Sequence, residues 1–492
     1  MTQQLAGQAV HTDLYINGET EGAEGGLTIK DPANPTEVVG VAAAATRQQA
    51  LDAVAAAKKA FPAWSALEPE KRARYLSEAI KVLAEFQMED AEVLSRENGK
   101  ILQEGIIDLI VFNIRFQLAC GLADKVNETT VLAGPPTETV VAYKPLGVVT
   151  LIVPFNWPLA ILAASLPYAL VAGNTVVVKP PPSAPLATAR VLQRVAQQLP
   201  AGVLNVITGE DAVVGEPLIA NDDVAKVCFT GSSNGGKRIM EMASRNLTRV
   251  ALELGGNDPA LILEDAEIDD ASLDRLFHGT FDTTGQVCMA VKRLYVHRSR
   301  YEEVVEGLKA RLENTVLGRG TDQGTTMGPL HSPLQKALVN ELVEEAKASG
   351  AEVLEFGSLP EGELAAGNFV RPSLVLNPDP SLRIVTLEQF GPTLPILVFD
   401  DVEEAIAAAN DTWAGLCASV WTKDDAKARS IGSRLEAGYV FVNSHGPATL
   451  DERAPFGGFK ASGMGREMGT EGLREFMDTR SVGINVGGFE AH

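Results

Sequence analysis

From Gly147 onward, short and continuously apolar runs alternate with helix-length segments, and this alternation restricts the possible folds more than any other feature of the chain. Gly147 to Val153, Thr175 to Val178, Val203 to Ile207, Lys226 to Phe229 and Val250 to Leu254 read as strands. Leu159 to Ala172 and Ala184 to Leu199 read as helices between them. Strands apolar on both faces belong in a parallel sheet covered by helices on either side. The order is that of a nucleotide-binding α/β domain. A second α/β run extends from about 258 to 460, with strands at Arg293 to His297 and Pro395 to Phe399 and a helix at 301 to 315.

Before this region, residues 46 to 97 carry helical spacing and predict two or three helices broken near Pro62 and Pro69. The stretch 126 to 145, interrupted by Pro135-Pro136, predicts a pair of extended strands, and the tail 471 to 492 offers another. Lying outside the α/β units, these are suited to edge pairing with a second subunit.

Composition removes several classes of function. Lys and Arg number 42 against 64 Asp and Glu, a net charge of −22, which repels nucleic acid and anionic lipid. The four cysteines, Cys120, Cys228, Cys288 and Cys417, are scattered and form no C-x-x-C pair, so neither a disulfide framework nor a metal site is expected. The run Leu159 to Gly173 is too short to span a bilayer. With no basic and apolar leader at the N-terminus, the expected location is the cytoplasm.

The chemistry-bearing residues stand at strand ends and glycine turns. Cys288 lies in the small-residue segment Phe281-Asp-Thr-Thr-Gly-Gln-Val-Cys-Met-Ala290 and is either a small buried hydrophobe or a thiol nucleophile. Glu253, within Leu252-Glu-Leu-Gly-Gly-Asn257, closes an apolar strand, where desolvation raises a carboxyl toward the range of a general base. A salt-bridged Glu is the alternative. Asn156, in Val153-Pro-Phe-Asn-Trp-Pro158, either donates to a developing oxyanion or closes an Asx turn before a helix. Lys179 ends the next strand, in reach of a ribose or simply solvated. Phe229-Thr-Gly-Ser-Ser-Asn-Gly-Gly236 forms a strand, turn and helix start that favours phosphate, although its spacing is neither G-x-G-x-x-G nor a Walker A motif. Glu388-Gln-Phe-Gly-Pro392 sets an acid and an aromatic ring before a turn.

In this order and spacing, the pieces resemble the aldehyde dehydrogenase superfamily, from Asp31-Pro-Ala-Asn-Pro-Thr36 to Pro455-Phe-Gly-Gly-Phe-Lys460 and Gly465-Arg-Glu467. The resemblance implies a Rossmann-like NAD(P)-binding domain (1–125 and 146–256), a second α/β catalytic domain (257–470) and oligomerisation strands (126–145 and 471–492) in a homodimer or homotetramer. It implies oxidation of an aldehyde to a carboxylic acid through a thiohemiacetal and thioester on Cys288. Asn156 and the Cys288 amide would hold the oxyanion, and Glu253 would activate water. Lys179 and Glu388 would bind the two riboses, Phe390 would support the nicotinamide, and Gly231, Ser232 and Gly236 would approach the pyrophosphate. Backbone groups of Val153, Phe155 and Leu254 would complete the cleft. A CoA-acylating enzyme of the same fold is the nearest alternative, and a non-catalytic binding protein on this scaffold a more distant one.

Three departures matter. Many NAD-preferring relatives carry Glu three residues after the lysine that matches Lys179, whereas this chain has Pro182, so both NAD and NADP stay open. Asp282 stands where relatives often place an aromatic; it either favours a polar aldehyde or pairs with a neighbour. Trp157 and a small Ala164 are expected along the substrate tunnel, with the loop Ser444 to Arg453, including His445 and Arg453, at its mouth.

Overall fold

The structure, a computed structural model, describes residues 9–487. Helix α1 (Arg47–Ser65) starts at a capping box in which Thr46 accepts from Gln49 N. It runs through Pro62 rather than breaking there. That proline is exposed and close to the helix end, so the carbonyl it leaves without a partner can be hydrated. The break at Pro69 does occur: the proline occupies the first turn of the next helix, Pro69–Ala79, where its missing N–H costs nothing. Gln87–Asn98 and α2 (Leu102–Cys120) follow.

The first large sheet has eight strands. Its centre comprises β1 (Val148–Ile152), β2 (Thr175–Lys179), β3 (Leu204–Val206), β4 (Val224–Thr230) and β5 (Arg249–Glu253), all parallel. Every residue of β1, β2 and β3 is buried, as their unbroken apolar character requires. The order is β5-β4-β1-β2-β3, so the chain winds outward from β1 on one side and returns to its other side with β4. In such sheets the crevice at this reversal, outside the carboxyl ends of the strands, is where ligands bind. Antiparallel strands close both edges: Gly463–Met464 beside β5, Leu14–Ile16 and Glu19–Glu21 beside β3. Between β1 and β2, α3 (Pro158–Ala172) is apolar all round and packs on α2. No helix among the described residues is long and apolar enough to cross a membrane.

The second sheet has seven strands, built around β6 (Asp258–Ile262) and β7 (Val291–His297), with one antiparallel edge strand at Glu352–Glu355. The expected helix at 301 to 315 ends at Leu312. The stretches 126 to 145 and 471 to 492 meet in a three-stranded sheet: Thr137–Pro145 lies between Thr130–Leu132 and Met477–Asn485. Residues 1–8 and 488–492 of the expected segments lie outside the described residues.

Candidate active site

Two glycine-bearing turns meet at Cys288. α4 (Asp270–Phe281) leads into a loop in which Thr283, Thr284 and Gly285 take φ of 53°, 57° and 71° in succession. Left-handed backbone at two β-branched residues is uncommon and costs about 1–3 kcal/mol each. The surroundings over-determine this shape. The Thr283 amide donates to Glu104 Oε1 (2.6 Å), and Thr284 Oγ1 donates to the Gly328 carbonyl (3.0 Å). Lys292 Nζ donates to the carbonyls of Gly285 (3.0 Å) and Val287 (2.8 Å). A Cβ on Gly285 would lie 2.3 Å from the Gly391 carbonyl oxygen. The second turn, Gly255-Gly256, follows β5, and a Cβ on Gly256 would sit 2.4 Å from the Cys288 carbonyl oxygen. The two segments that the sequence pairs are therefore in contact.

Asn156 is buried in the turn between β1 and α3. Asn98 Nδ2 grips that turn through the carbonyls of Phe155 (3.1 Å) and Asn156 (3.3 Å). The Asn156 amide nitrogen donates to the Gln286 carbonyl (2.8 Å), which ties it to the Cys288 loop and leaves its second N–H available. Asn156 Oδ1 is buried without a partner.

Burial dominates the electrostatics here. Part of Cys288 stays open to solvent, but desolvation pushes its thiol up to about 12, reinforced by the charges of Glu388, Asp258 and Glu253 and opposed by Lys292. At neutral pH the resting residue is a thiol. Glu253 ends β5; desolvation raises its carboxyl well above the ordinary range, and the negative charge of Glu467 raises it further against the opposing Arg466. Its Oε2 has no partner. Glu467 accepts from Ser165 Oγ (2.7 Å) and is itself raised, chiefly by burial. Glu388 accepts from the Gly256 amide (3.2 Å), and burial pushes it to about 7.

Of the residues expected around a dinucleotide, Val153, Lys179, Gly231 and Leu254 stand at the carboxyl ends of β1, β2, β4 and β5. Val153 N donates to the Lys179 carbonyl across β1 and β2 (3.4 Å), and Leu254 N donates to the Ser462 carbonyl (2.8 Å). Phe155 stacks on His331 at 4.0 Å and meets Phe390 edge-on at 6.2 Å. Gly231 N donates to the Glu253 carbonyl (3.0 Å). Ser232 caps the helix Ser233–Ala243, accepting from Gly235 N (3.1 Å), and Gly236 lets Leu254 pack against its first turn. Helix-start amides, the Lys179 ammonium and the Glu388 carboxylate form a donor and acceptor set that fits a dinucleotide.

Some expectations change. Lys179 is buried, not solvated, and its Nζ lies 2.5 Å from Asp211 Oδ1. Asp282 pairs with His278 Nδ1 (2.8 Å) at the wall of a cavity of about 340 Å³ that Glu104 and Arg311 also line. His445 does not face the solvent: it is buried, with Nδ1 at 2.9 Å from Ser419 Oγ and Nε2 at 3.8 Å from Asp258. Those partners are remote in sequence, which is why a polar residue in a loop read as exposed. Arg453 is exposed and pairs with Asp451. Trp157 is buried with the Lys100 ammonium 3.9 Å from its ring centre, and Ala164 is buried in α3. Glu467, Lys292, Asn98 and Asp211 were not singled out as site residues. Glu467 lies inside the Gly465-Arg-Glu467 motif, and Asp211 follows the strand Val203 to Ile207, so position alone offered a signal for both.

Comparison with known proteins identifies the family. The family model described as the aldehyde dehydrogenase family matches residues 19–482. Betaine aldehyde dehydrogenase of Bacillus subtilis (strain 168) is 36% identical over 480 residues, 96% of this chain and 97% of that protein. The crystal structure of betaine aldehyde dehydrogenase from Staphylococcus aureus in complex with NAD+ superimposes with a TM-score of 0.91 at 34% identity, covering 98% of this chain and 96% of the other. An E. coli NADP-dependent enzyme gives a TM-score of 0.92 at 31% identity, covering 97% and 98%. Fold and relatives define an NAD(P)-linked oxidoreductase. The chain belongs to the aldehyde dehydrogenase family and oxidises an aldehyde to a carboxylic acid; the relatives support this over the CoA-acylating alternative.

Proposed function

We propose that Cys288 is the nucleophile, Asn156 the oxyanion donor and Glu253 the base of this oxidation. The contact between the Gly256 turn and the Cys288 carbonyl carries the reading, because it brings the segments bearing thiol and base together. The Cys288 thiol gives its proton to Glu253, and its sulfur adds to the aldehyde carbon. The oxyanion accepts from the free Asn156 N–H and the Cys288 amide. Its collapse re-forms the C=O bond, expels hydride from the same carbon and leaves a thioester on Sγ. A nicotinamide dinucleotide, when bound, supplies the hydride acceptor. Once its proton has passed on, Glu253 takes one from water, the hydroxide adds to the thioester, and C–S cleavage releases the acid and restores the thiol. Glu467, whose negative charge raises Glu253, strengthens it as a proton acceptor.

Cofactor contacts follow the crevice: Lys179 and Glu388 toward the riboses, Phe390 beside the nicotinamide, and Gly231, Ser232 and Gly236 toward the pyrophosphate, with Val153, Phe155 and Leu254 lining the cleft. The corresponding division is 1–125 with 146–256 for the cofactor, 257–470 for catalysis, and 126–145 with 471–492 for self-association into a homodimer or homotetramer. Four free cysteines support a reducing, cytoplasmic setting.

The direct test is Cys288→Ala. Aldehyde-dependent cofactor reduction should fall at least about a thousandfold while NAD+ binding persists. Turnover close to wild type would refute the assignment.

A further inference from the structure

Lys179 carries a charge into a nearly closed position, its side chain 2% exposed, and Asp211 is its ion-pair partner at 2.5 Å. Asp211 opens the helix Asp211–Ile219 just beyond β3 and is 76% exposed, so the lysine is fixed while the carboxylate is free to turn. Pro182, on the loop after Lys179, brings no acidic group. We propose that Asp211 selects NAD over NADP, its carboxylate accepting from the adenosine ribose 2′-OH beside Lys179 and repelling a 2′-phosphate. This rests on the reading that Lys179 marks the adenosine ribose end of the dinucleotide crevice.

Opposing effects can be weighed. A 2′-phosphate carries about −1.5 to −2 charges at pH 7 and needs a cation free to meet it. Lys179 is already paired, so phosphate must displace a carboxylate and then sit beside it. The free amides at the start of the Asp211–Ile219 helix attract anions, but Glu210 and Asp211 both stand at that end and offset the attraction. A hydroxyl meets no such conflict: it donates to Asp211 and accepts from Lys179 together. The carboxylate missing at Pro182 is thus supplied from the next strand's loop, and the dual cofactor use that Pro182 left open closes in favour of NAD.

The test is calorimetric titration of the protein, without aldehyde, with NAD+ and with NADP+ at one ionic strength, for wild type, Asp211→Asn and Lys179→Met. Wild type should bind NAD+ at least about tenfold tighter than NADP+, and Asp211→Asn should narrow that ratio about tenfold, mainly through tighter NADP+ binding. Lys179→Met should weaken NAD+ binding. A wild type that prefers NADP+, or an Asp211→Asn ratio unchanged while Lys179→Met weakens NAD+, overturns the role of Asp211 and leaves the crevice reading standing. If Lys179→Met binds NAD+ as wild type does, the crevice reading itself fails and the proposal falls with it.

Discussion

Burial governs how the residues around Cys288 titrate. With its carboxyl raised by desolvation and by Glu467, Glu253 is the proton-free base only toward higher pH, so thioester hydrolysis should climb with pH through that raised pKa. Removing the negative neighbour with Glu467→Gln lowers the Glu253 pKa and should move this acid limb to lower pH. A limb that stays put or moves upward in steady-state pH profiles contradicts the pairing. Lys179 and Glu253 were legible as strand ends and Asn156 as the turn after one, where period and turn chemistry announce position; Cys288 stood out only through the order and spacing of the motifs. Partners set by long-range packing were not legible. Ser419 reaches His445 from 26 positions away, and Glu104 reaches Thr283 from 179, so no local pattern could reveal that either polar group was satisfied inside the protein.

Among the elements, the α2–α3 contact shows how a buried charge pair holds the helix start that follows Asn156. Lys100 Nζ and Asp108 Oδ2 lie 3.1 Å apart with neither side chain exposed, and Asp108 Oδ1 accepts from Ala160 N in the first turn of α3 (2.6 Å). Lys100→Met strands a buried carboxylate and should destabilise the protein by about 3–5 kcal/mol in urea unfolding. A loss under about 1 kcal/mol would mean the pair contributes little. Strands β1 to β5 could be read from the sequence because β1 to β3 are buried on both faces and β4 and β5 largely so. The strands Val10–Thr12, Leu14–Ile16, Glu19–Glu21, Gly25–Asp31 and Asn34–Ala44 could not. They are short or half-exposed, as in Gly25–Asp31, where buried and exposed residues alternate, and glycine interrupts their pattern. Pro62 was misread because it sits exposed in the last turn of α1, where the carbonyl it orphans can be hydrated.

For the whole molecule, the three-stranded sheet leaves Val131, Val482 and Ile484, which share a face by register, each more than half exposed, an apolar strip on a chain of net charge −22. Such a strip is suited to pairing with a second copy. Val482→Lys with Ile484→Lys should shift the sedimentation mass toward the monomer, whereas an unchanged mass would place the interface elsewhere. The segments forming this sheet were legible as extended chain, but their mutual pairing, Met477 with Pro145 through Asn485 with Thr137, joins distant parts of the chain and emerged only in the fold. The central claim is that substrate becomes acylated on one sulfur. Wild-type protein, mixed with aldehyde and NAD+ and quenched in acid during the first turnover, should gain the mass of one acyl group, mapped by peptide mass spectrometry to Cys288. An adduct on another residue, or none while hydride transfer proceeds, would contradict it.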